Sequence, residues 1–152
     1  MTKNLKGIYW LIFLVILVVA VSGCTVSTNE TDYKASAEEV TLQELANNPE
    51  NYRNKDIKFT GQVLTDVGSM DDTIYLGDPD SNSTTQGIVV ADIPFDFEDQ
   101  KDNLQKGDKI VVYGKLSGVS TVSLSFTSTD PGESFSYSGR GFNIATMYID
   151  KI

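Results

Sequence analysis

The 152-residue chain has no histidine, a single cysteine and few basic residues. The lack of histidine excludes Ser-His-Asp and Cys-His nucleophile pairs, and it excludes metal sites that need imidazole. The single cysteine, Cys24, excludes a zinc ribbon and an intrachain disulfide. Only 12 Lys and Arg stand against 21 Asp and Glu, which gives a net charge of −9. The length allows one domain with a tail, and not two full domains.

An apolar segment lies near the N-terminus. Lys3 and Lys6 precede residues 8–21, a run without a charge or a proline. Its length is typical of the hydrophobic region of a signal peptide, since a membrane-spanning helix usually needs about 20 residues. The run ends in Val-Ser-Gly-Cys24, which resembles the prokaryotic lipobox. That resemblance implies that the thiol of Cys24 carries a lipid and that Cys24 becomes the mature N-terminus.

Two interpretations of this segment stay open. Residues 1–24 are a lipoprotein signal peptide, or residues 7–26 remain as a signal anchor that is just able to span a membrane. In both cases the rest of the chain is expected outside the cytoplasm, attached to the cell membrane, because the positive charge lies on the short N-terminal side. Residues 25–40 are polar with scattered apolar positions, which is typical of a flexible tether. Asn29 and Asn82 each begin an Asn-x-Thr sequon and are possible glycosylation sites in an exported chain.

The remainder, residues 41–152, predicts one small β-barrel. Thr41 and Glu44 match a capping box, so a short helix is expected to follow Thr41 and to stop before Pro49. Apolar residues alternate with polar ones in residues 57–63, the period expected of a half-buried strand. Further strands are predicted at residues 73–76, 87–91, 109–116 and 142–152, with a weak helical pattern at 94–105. Phe95, Phe97 and Leu104 are the expected core contacts of that helix.

This order of elements is the layout of a five-stranded OB-fold Greek-key barrel, with a short N-terminal helix and a second helix between strands three and four. Residues 51–63 (NYRNKDIKFTGQV) and 104–116 (LQKGDKIVVYGKL) resemble the first-strand and fourth-strand blocks of the tRNA-anticodon-like OB family. The resemblance covers residues 41–152 and implies the OB-fold and an exported lipoprotein form. The Ser-rich residues after Gly118 depart from the family pattern, and an extra strand or ribbon is possible at residues 119–126.

One acidic turn has a weak calcium signature. Asp78, Asp80 and Asn82 have the spacing that opens a calcium-binding loop. However, Ser83 occupies the position of the sharp-turn glycine, and Val89 occupies that of the bidentate glutamate. A solvated β-turn is therefore the favoured interpretation, and no metal or other cofactor is expected.

A ligand site is more plausible on the aromatic residues of the barrel and its long loop. Tyr75 lies on the predicted second strand, and the segment after Gly118 contributes Phe126, Phe135, Tyr137, Arg140 and Phe142. Aromatic rings beside an arginine suit contact with a saccharide, a peptide or a protein. The favoured interpretation, however, is that these aromatic rings cover one end of the barrel.

The predicted function is therefore non-catalytic binding at the membrane, with an envelope protein or saccharide as the ligand. No nucleophile motif, phosphate loop or acid–base pair at a recognisable spacing supports an enzyme. A nucleic-acid-binding domain and a structural accessory subunit of an envelope complex remain as alternatives. Nucleic acid is disfavoured because residues 25–152 carry 10 basic and 21 acidic side chains, whereas binding to phosphates requires a positive groove.

Overall fold

The computed structural model describes residues 29–68, 71–79, 86–101, 103–127 and 134–152. Within these ranges, three short helices accompany six strands. The helices are α1 (Glu30–Ser36), α2 (Leu42–Asn47) and α3 (Glu98–Lys101), with 3₁₀ turns at Pro49–Asn51 and Phe95–Phe97. The strands are β1 (Glu38–Val40), β2 (Asp56–Val63), β3 (Thr73–Gly77), β4 (Ile88–Asp92), β5 (Lys109–Thr127) and β6 (Ser134–Lys151).

Strands β2 to β6 close into a barrel in the order β2-β3-β4-β6-β5, with β5 returning to pair with β2. The β4–β6 pair is parallel, and the other barrel pairs are antiparallel. This is the Greek-key connectivity of the OB-fold, so the predicted fold class is confirmed. Helix α2 precedes the first barrel strand, and α3 lies between the third and fourth, as the sequence predicted.

The barrel interior is filled by alternate residues of each strand. In β2 the buried, inward-facing positions are Ile57, Phe59, Gly61 and Val63, and the residues between them are only partly buried. At Gly61, a β-carbon would lie 2.6 Å from the Phe59 ring and 2.9 Å from the Leu76 side chain. The glycine is therefore required by close packing inside the barrel.

Helix α2 covers one end of this core. Thr41 is its N-cap and forms the full capping box with Glu44, in which each side chain accepts a hydrogen bond from the other residue's backbone. Leu42 and Leu45 are buried on its inner side. The capping box that the sequence predicted is thus present, and it fixes where the helix begins.

Residues 30–40 differ from the predicted flexible tether. Helix α1 packs on the outside of the barrel through Tyr33, and β1 adds to β2 as a parallel sixth strand. Burial, together with the neighbouring Asp56 carboxylate, raises the pKa of the Tyr33 hydroxyl well above its usual range. The contacts that hold this segment come from residues far away in the sequence, which local composition does not reveal.

A second difference concerns Phe95. The sequence predicted Phe95, Phe97 and Leu104 as core contacts; Phe97 and Leu104 are buried, but Phe95 is 89% exposed. The two phenylalanines lie two positions apart in a 3₁₀ turn, which has three residues per turn, so they point in different directions.

Candidate functional site

The segment after Leu116 forms a long hairpin that projects from the barrel. β5 pairs with β2 from Lys109 to Lys115, and beyond this point it continues to pair with β6 as far as Thr127, after a register shift between Leu116 and Gly118. On the other strand, β6 pairs with β4 only from Gly141 to Ile144. We call residues 117–127 and 134–140 the projecting hairpin. The ribbon that the sequence left as a possibility is therefore the outer half of two very long strands.

Each strand of the projecting hairpin has one edge without a strand partner among the described residues. The outer edge of β5 is unpaired over residues 117–127, and that of β6 over residues 134–140. These edges present backbone N–H and C=O groups, which are the groups that pair with an added strand.

One face of the projecting hairpin is lined by hydroxyl groups. Ser123 lies opposite Ser138, and Ser125 opposite Ser136. These four serines are exposed, as is Thr121, which lies opposite Arg140. The face therefore offers a row of small side chains that can both donate and accept hydrogen bonds.

The base of the projecting hairpin is fixed to the barrel by Arg140. Its guanidinium Nη1 donates to the carbonyl oxygen of Ala46 at 2.9 Å, and it lies 5.2 Å from the centre of the Phe142 ring. The Tyr137 hydroxyl donates to the backbone oxygen of Arg140 at 2.7 Å. Like any tyrosine hydroxyl, this donor is protonated at neutral pH, and burial raises the pKa of Tyr137 further.

A cleft of about 420 Å³ lies beside the free edge of β6. It is lined by Gln86, Gly87 and residues 136–140. Gly87 has a φ of +129°, and a β-carbon there would lie 2.6 Å from the Phe142 ring. Because it is a glycine, the backbone just before β4 can approach β6 closely. This close approach forms one wall of the cleft.

The predicted aromatic platform is only partly brought together. Tyr137 and Arg140 line the cleft, but Tyr137 is 7% exposed and both residues mainly hold the hairpin base. Phe142 is fully buried in the barrel core, so its ring packs inside the protein and is not part of a ligand surface. The backbones of Phe126 and Phe135 lie opposite each other near the hairpin end, and their side chains lie outside the described part. Tyr75 is half-buried on the outer side of β3, where its backbone lies opposite Val90 of β4.

The other predicted sites are not brought together either. Asn29 caps helix α1 by accepting a hydrogen bond from the Thr31 amide. Cys24, Asp80 and Asn82 lie outside the described residues, and Asp78 lines a separate groove near Pro79 and Lys109. Within the described part of the chain, no group of three His, Cys, Asp or Glu side chains could hold a metal ion.

Fold and site thus define an OB-fold barrel with a projecting hairpin. The sequence model of a family described as Mycobacterium membrane protein matches residues 6–120. The chain therefore belongs to this family of membrane proteins. The match shows that the assignment to the tRNA-anticodon-like OB family was wrong. The two sequence blocks on which that assignment depended form strands of the barrel, and they do not identify the family. No curated protein sequence matches the chain.

Two solved structures are similar to the chain, at low identity. A protein described as an aspartyl-tRNA synthetase from Leishmania major Friedlin is 16% identical with a TM-score of 0.41, over 84% of this chain and 22% of that one. The chain therefore spans about a fifth of the length of the synthetase. A mitochondrial single-stranded DNA-binding protein from S. cerevisiae is 10% identical with a TM-score of 0.32, over 65% of this chain and 95% of that one.

In the described ranges, no helix has the length and apolarity needed to cross a membrane.

Proposed function

We propose that this membrane-family chain is a non-catalytic binding protein whose projecting hairpin docks an extended segment of an envelope protein. A lipid on Cys24 holds it on the extracytoplasmic face of the cell membrane. The proposal joins two lines of support: the family is one of membrane proteins, and Cys24, the only cysteine, ends the apolar N-terminal run. The alternative for the anchor is retention of residues 7–26 as a signal anchor.

The observation that carries the binding proposal is the pair of free strand edges. Over residues 117–127 and 134–140 each strand is paired on one side only within the described chain. A segment of five or six residues in an extended conformation fits along either edge, since that is the usual length of a strand. Main-chain hydrogen bonds then supply affinity, and the side-chain positions supply specificity.

The composition of these edges supports a binding role. Proteins usually protect long edges with lysine, proline or inward-pointing charges, because unprotected edges pair with other chains. Residues 117–127 and 134–140 contain no proline and one charged residue, Arg140. That arginine is engaged with Ala46 and Phe142 at the hairpin base. The outer part of the hairpin therefore carries no charge that would oppose an added strand.

The cleft beside β6 adds a place for a ligand side chain. Its volume of about 420 Å³ is within the usual range for ligand sites. The contacts of Arg140 and Tyr137 hold the wall of the cleft in place before a partner arrives. Such preorganisation lowers the entropic cost of binding.

A saccharide is the second candidate ligand, favoured by the exposed hydroxyl row of Thr121, Ser123, Ser125, Ser136 and Ser138. Nucleic acid is disfavoured because residues 25–152 are strongly acidic, and phosphate contacts require Lys and Arg.

The test uses a photo-cross-linking amino acid at Ser123 of the full chain, expressed in native membranes. After protease digestion, a protein ligand leaves a partner peptide joined to the peptide that contains residue 123, whereas a saccharide leaves an added mass that further protease does not remove. Asn51 is the matched control, because it is exposed and belongs to a 3₁₀ turn and not to the hairpin.

A second variant tests the edge itself. Ser136→Lys adds a charge beside the free edge of β6, and it should abolish the adduct from Ser123, with the fold intact, when the segment lies along that edge. An adduct that Ser136→Lys leaves unchanged would place the segment along the edge of β5. Equal adducts from Ser123 and Asn51, or no adduct from Ser123, would show that the hairpin is not the binding surface.

A further inference from the structure

Phe95 is an aromatic side chain presented to solvent on a fixed support. It is 89% exposed, the largest fraction among the described large hydrophobic residues. Its neighbour Phe97 is buried, and the Phe97 amide donates to the Pro94 carbonyl oxygen at 2.9 Å. The ring therefore projects from a turn whose other side is anchored in the barrel core, and leaving it in water is unfavourable.

The loop after β2 is joined to this turn. The Ile93 amide donates to the Asp72 carbonyl oxygen at 2.9 Å. Lys101, which is only 6% exposed, donates from Nζ to the Asp71 carbonyl oxygen at 3.1 Å. These bonds bring Asp71 and Asp72 to the same end of the barrel as Phe95.

The side chains around Phe95 are acidic. Asp71, Asp72, Asp92 and Asp96 are exposed, and together with Phe95 we call them the Phe95 surface. Residues 59–100, which supply all four of these carboxylates, contain nine Asp or Glu and no Lys or Arg. Lys101, the first cation after them, has its charge buried against Asp71.

We propose that the Phe95 surface binds a segment of a partner protein in which basic residues flank an apolar side chain. An aromatic anchor surrounded by charges of one sign is the arrangement of an interface hot spot with a complementary rim. Negative charge on this surface steers a basic partner toward it. The same charge opposes insertion of Phe95 into an anionic membrane, because acidic groups are repelled by anionic lipid headgroups. The surface is separate from the projecting hairpin, so this proposal stands or falls independently of the proposed function.

The test uses the full chain in phosphatidylcholine nanodiscs and a fluorescent peptide, Lys-Trp-Lys-Leu-Lys-Lys, with empty nanodiscs as the background. The affinity for the peptide, measured by fluorescence anisotropy, should fall about tenfold in Phe95→Ala, which is the loss typical of a hot-spot residue. Asp96→Asn should weaken it several-fold, and added salt should weaken it in the native chain but less in Asp96→Asn. Because Phe95 is almost fully exposed, its replacement does not disturb folding.

Met147→Ala is the matched control, since Met147 is also an exposed apolar side chain, 50% exposed on β6. It should leave the affinity unchanged. Several results would overturn the proposal: no peptide binding at millimolar concentration, equal binding of the Glu-Trp-Glu-Leu-Glu-Glu peptide, or equal affinity in Phe95→Ala. Phe95-dependent binding to protein-free vesicles would assign the surface to the membrane. Phe95-dependent dimerisation would assign it to a second copy of the chain.

Discussion

The Nζ atom of Lys34 lies 2.6 Å from Oδ1 of Asp150, a residue 116 positions later in the chain. The same ammonium group lies 2.7 Å from Glu30 and above the rings of Tyr113 and Tyr148, at 5.2 and 5.5 Å. This one side chain therefore joins helix α1 to the outer face of the barrel. Although burial alone would lower it, hydrogen bonds to Asp150 and Glu30 raise the pKa of Lys34 above its usual value.

Replacing Lys34 should release α1. Lys34→Ala removes the ion pairs and the cation–π contacts, and we expect a loss of about 1 kcal/mol of unfolding free energy. Hydrogen exchange of the α1 amides should accelerate more than exchange in the barrel. Lys55→Ala is the control, because the Lys55–Glu38 ion pair is longer, at 3.4 Å, and about half exposed. Equal exchange of α1 in both variants would show that Tyr33 alone holds the helix.

Arg140 offers a test of how the projecting hairpin is attached. Arg140→Ala removes the hydrogen bond to Ala46 and the contact with the Phe142 ring, and it should cost about 1 kcal/mol. We expect amide exchange to accelerate in residues 117–127 and 134–140, with little change in β2 or β3. Arg140→Lys keeps the charge without the planar guanidinium and should restore only part of the protection.

Two glycines of β5 should respond in opposite ways to the same change. A β-carbon at Gly114 would overlap the Ala145 carbonyl oxygen and approach the Ile144 side chain to 2.8 Å, whereas Gly118 has no neighbour within 4 Å. Gly114→Ala should therefore lower the unfolding free energy by about 1–3 kcal/mol. Gly118→Ala should be neutral or slightly stabilising, because it reduces the freedom of the unfolded chain. Urea denaturation of both variants measures the contrast.

Stability should fall in acid partly because of Asp108. Its carboxylate accepts hydrogen bonds from the Gln105 amide at 2.9 Å and from Lys151 at 2.7 Å, which lower the pKa of Asp108. A lowered pKa in the folded state stabilises it above the unfolded pKa of about 3.9. That stabilisation is lost as the pH falls through the folded value. Asp108→Asn should show a smaller loss of urea midpoint between pH 5 and pH 2 than the native chain does.

Cys24 decides how the chain is attached. If the cysteine is lipidated, intact-mass spectrometry of the membrane form should show a lipid at residue 24, and Cys24→Ser should lose it. In that case the variant should retain residues 1–23 uncleaved, because processing depends on the modified thiol. An unmodified Cys24 in a membrane-bound native chain would favour the signal anchor of residues 7–26.

Local patterns predicted the barrel because its elements have local signals. The capping box of Thr41 and Glu44 and the alternation in residues 57–63 each depend on residues only a few positions apart. Helix α1 was missed because its seven residues are stabilised by partners such as Asp150, which no local window contains. Phe95 and Phe97 are identical in type, so burial could be assigned only once the 3₁₀ turn was known. The alternation of Val122, Leu124 and Phe126 with hydroxyl residues indicated a possible ribbon, but its pairing with residues 134–140 and its continuity with the barrel strands depend on partners distant in the sequence.

The docking of α1 on the barrel also limits how far the barrel can lie from the N-terminal apolar run. A free segment from residue 22 to residue 40 would extend at most about 65 Å, whereas residues 22–29 alone extend at most about 28 Å. If the chain is attached to the membrane through its N-terminal segment, as we propose, the barrel would be confined to a thin layer above the lipid surface. Its encounters would then be mainly with neighbours in the same membrane, because a short tether raises their effective concentration.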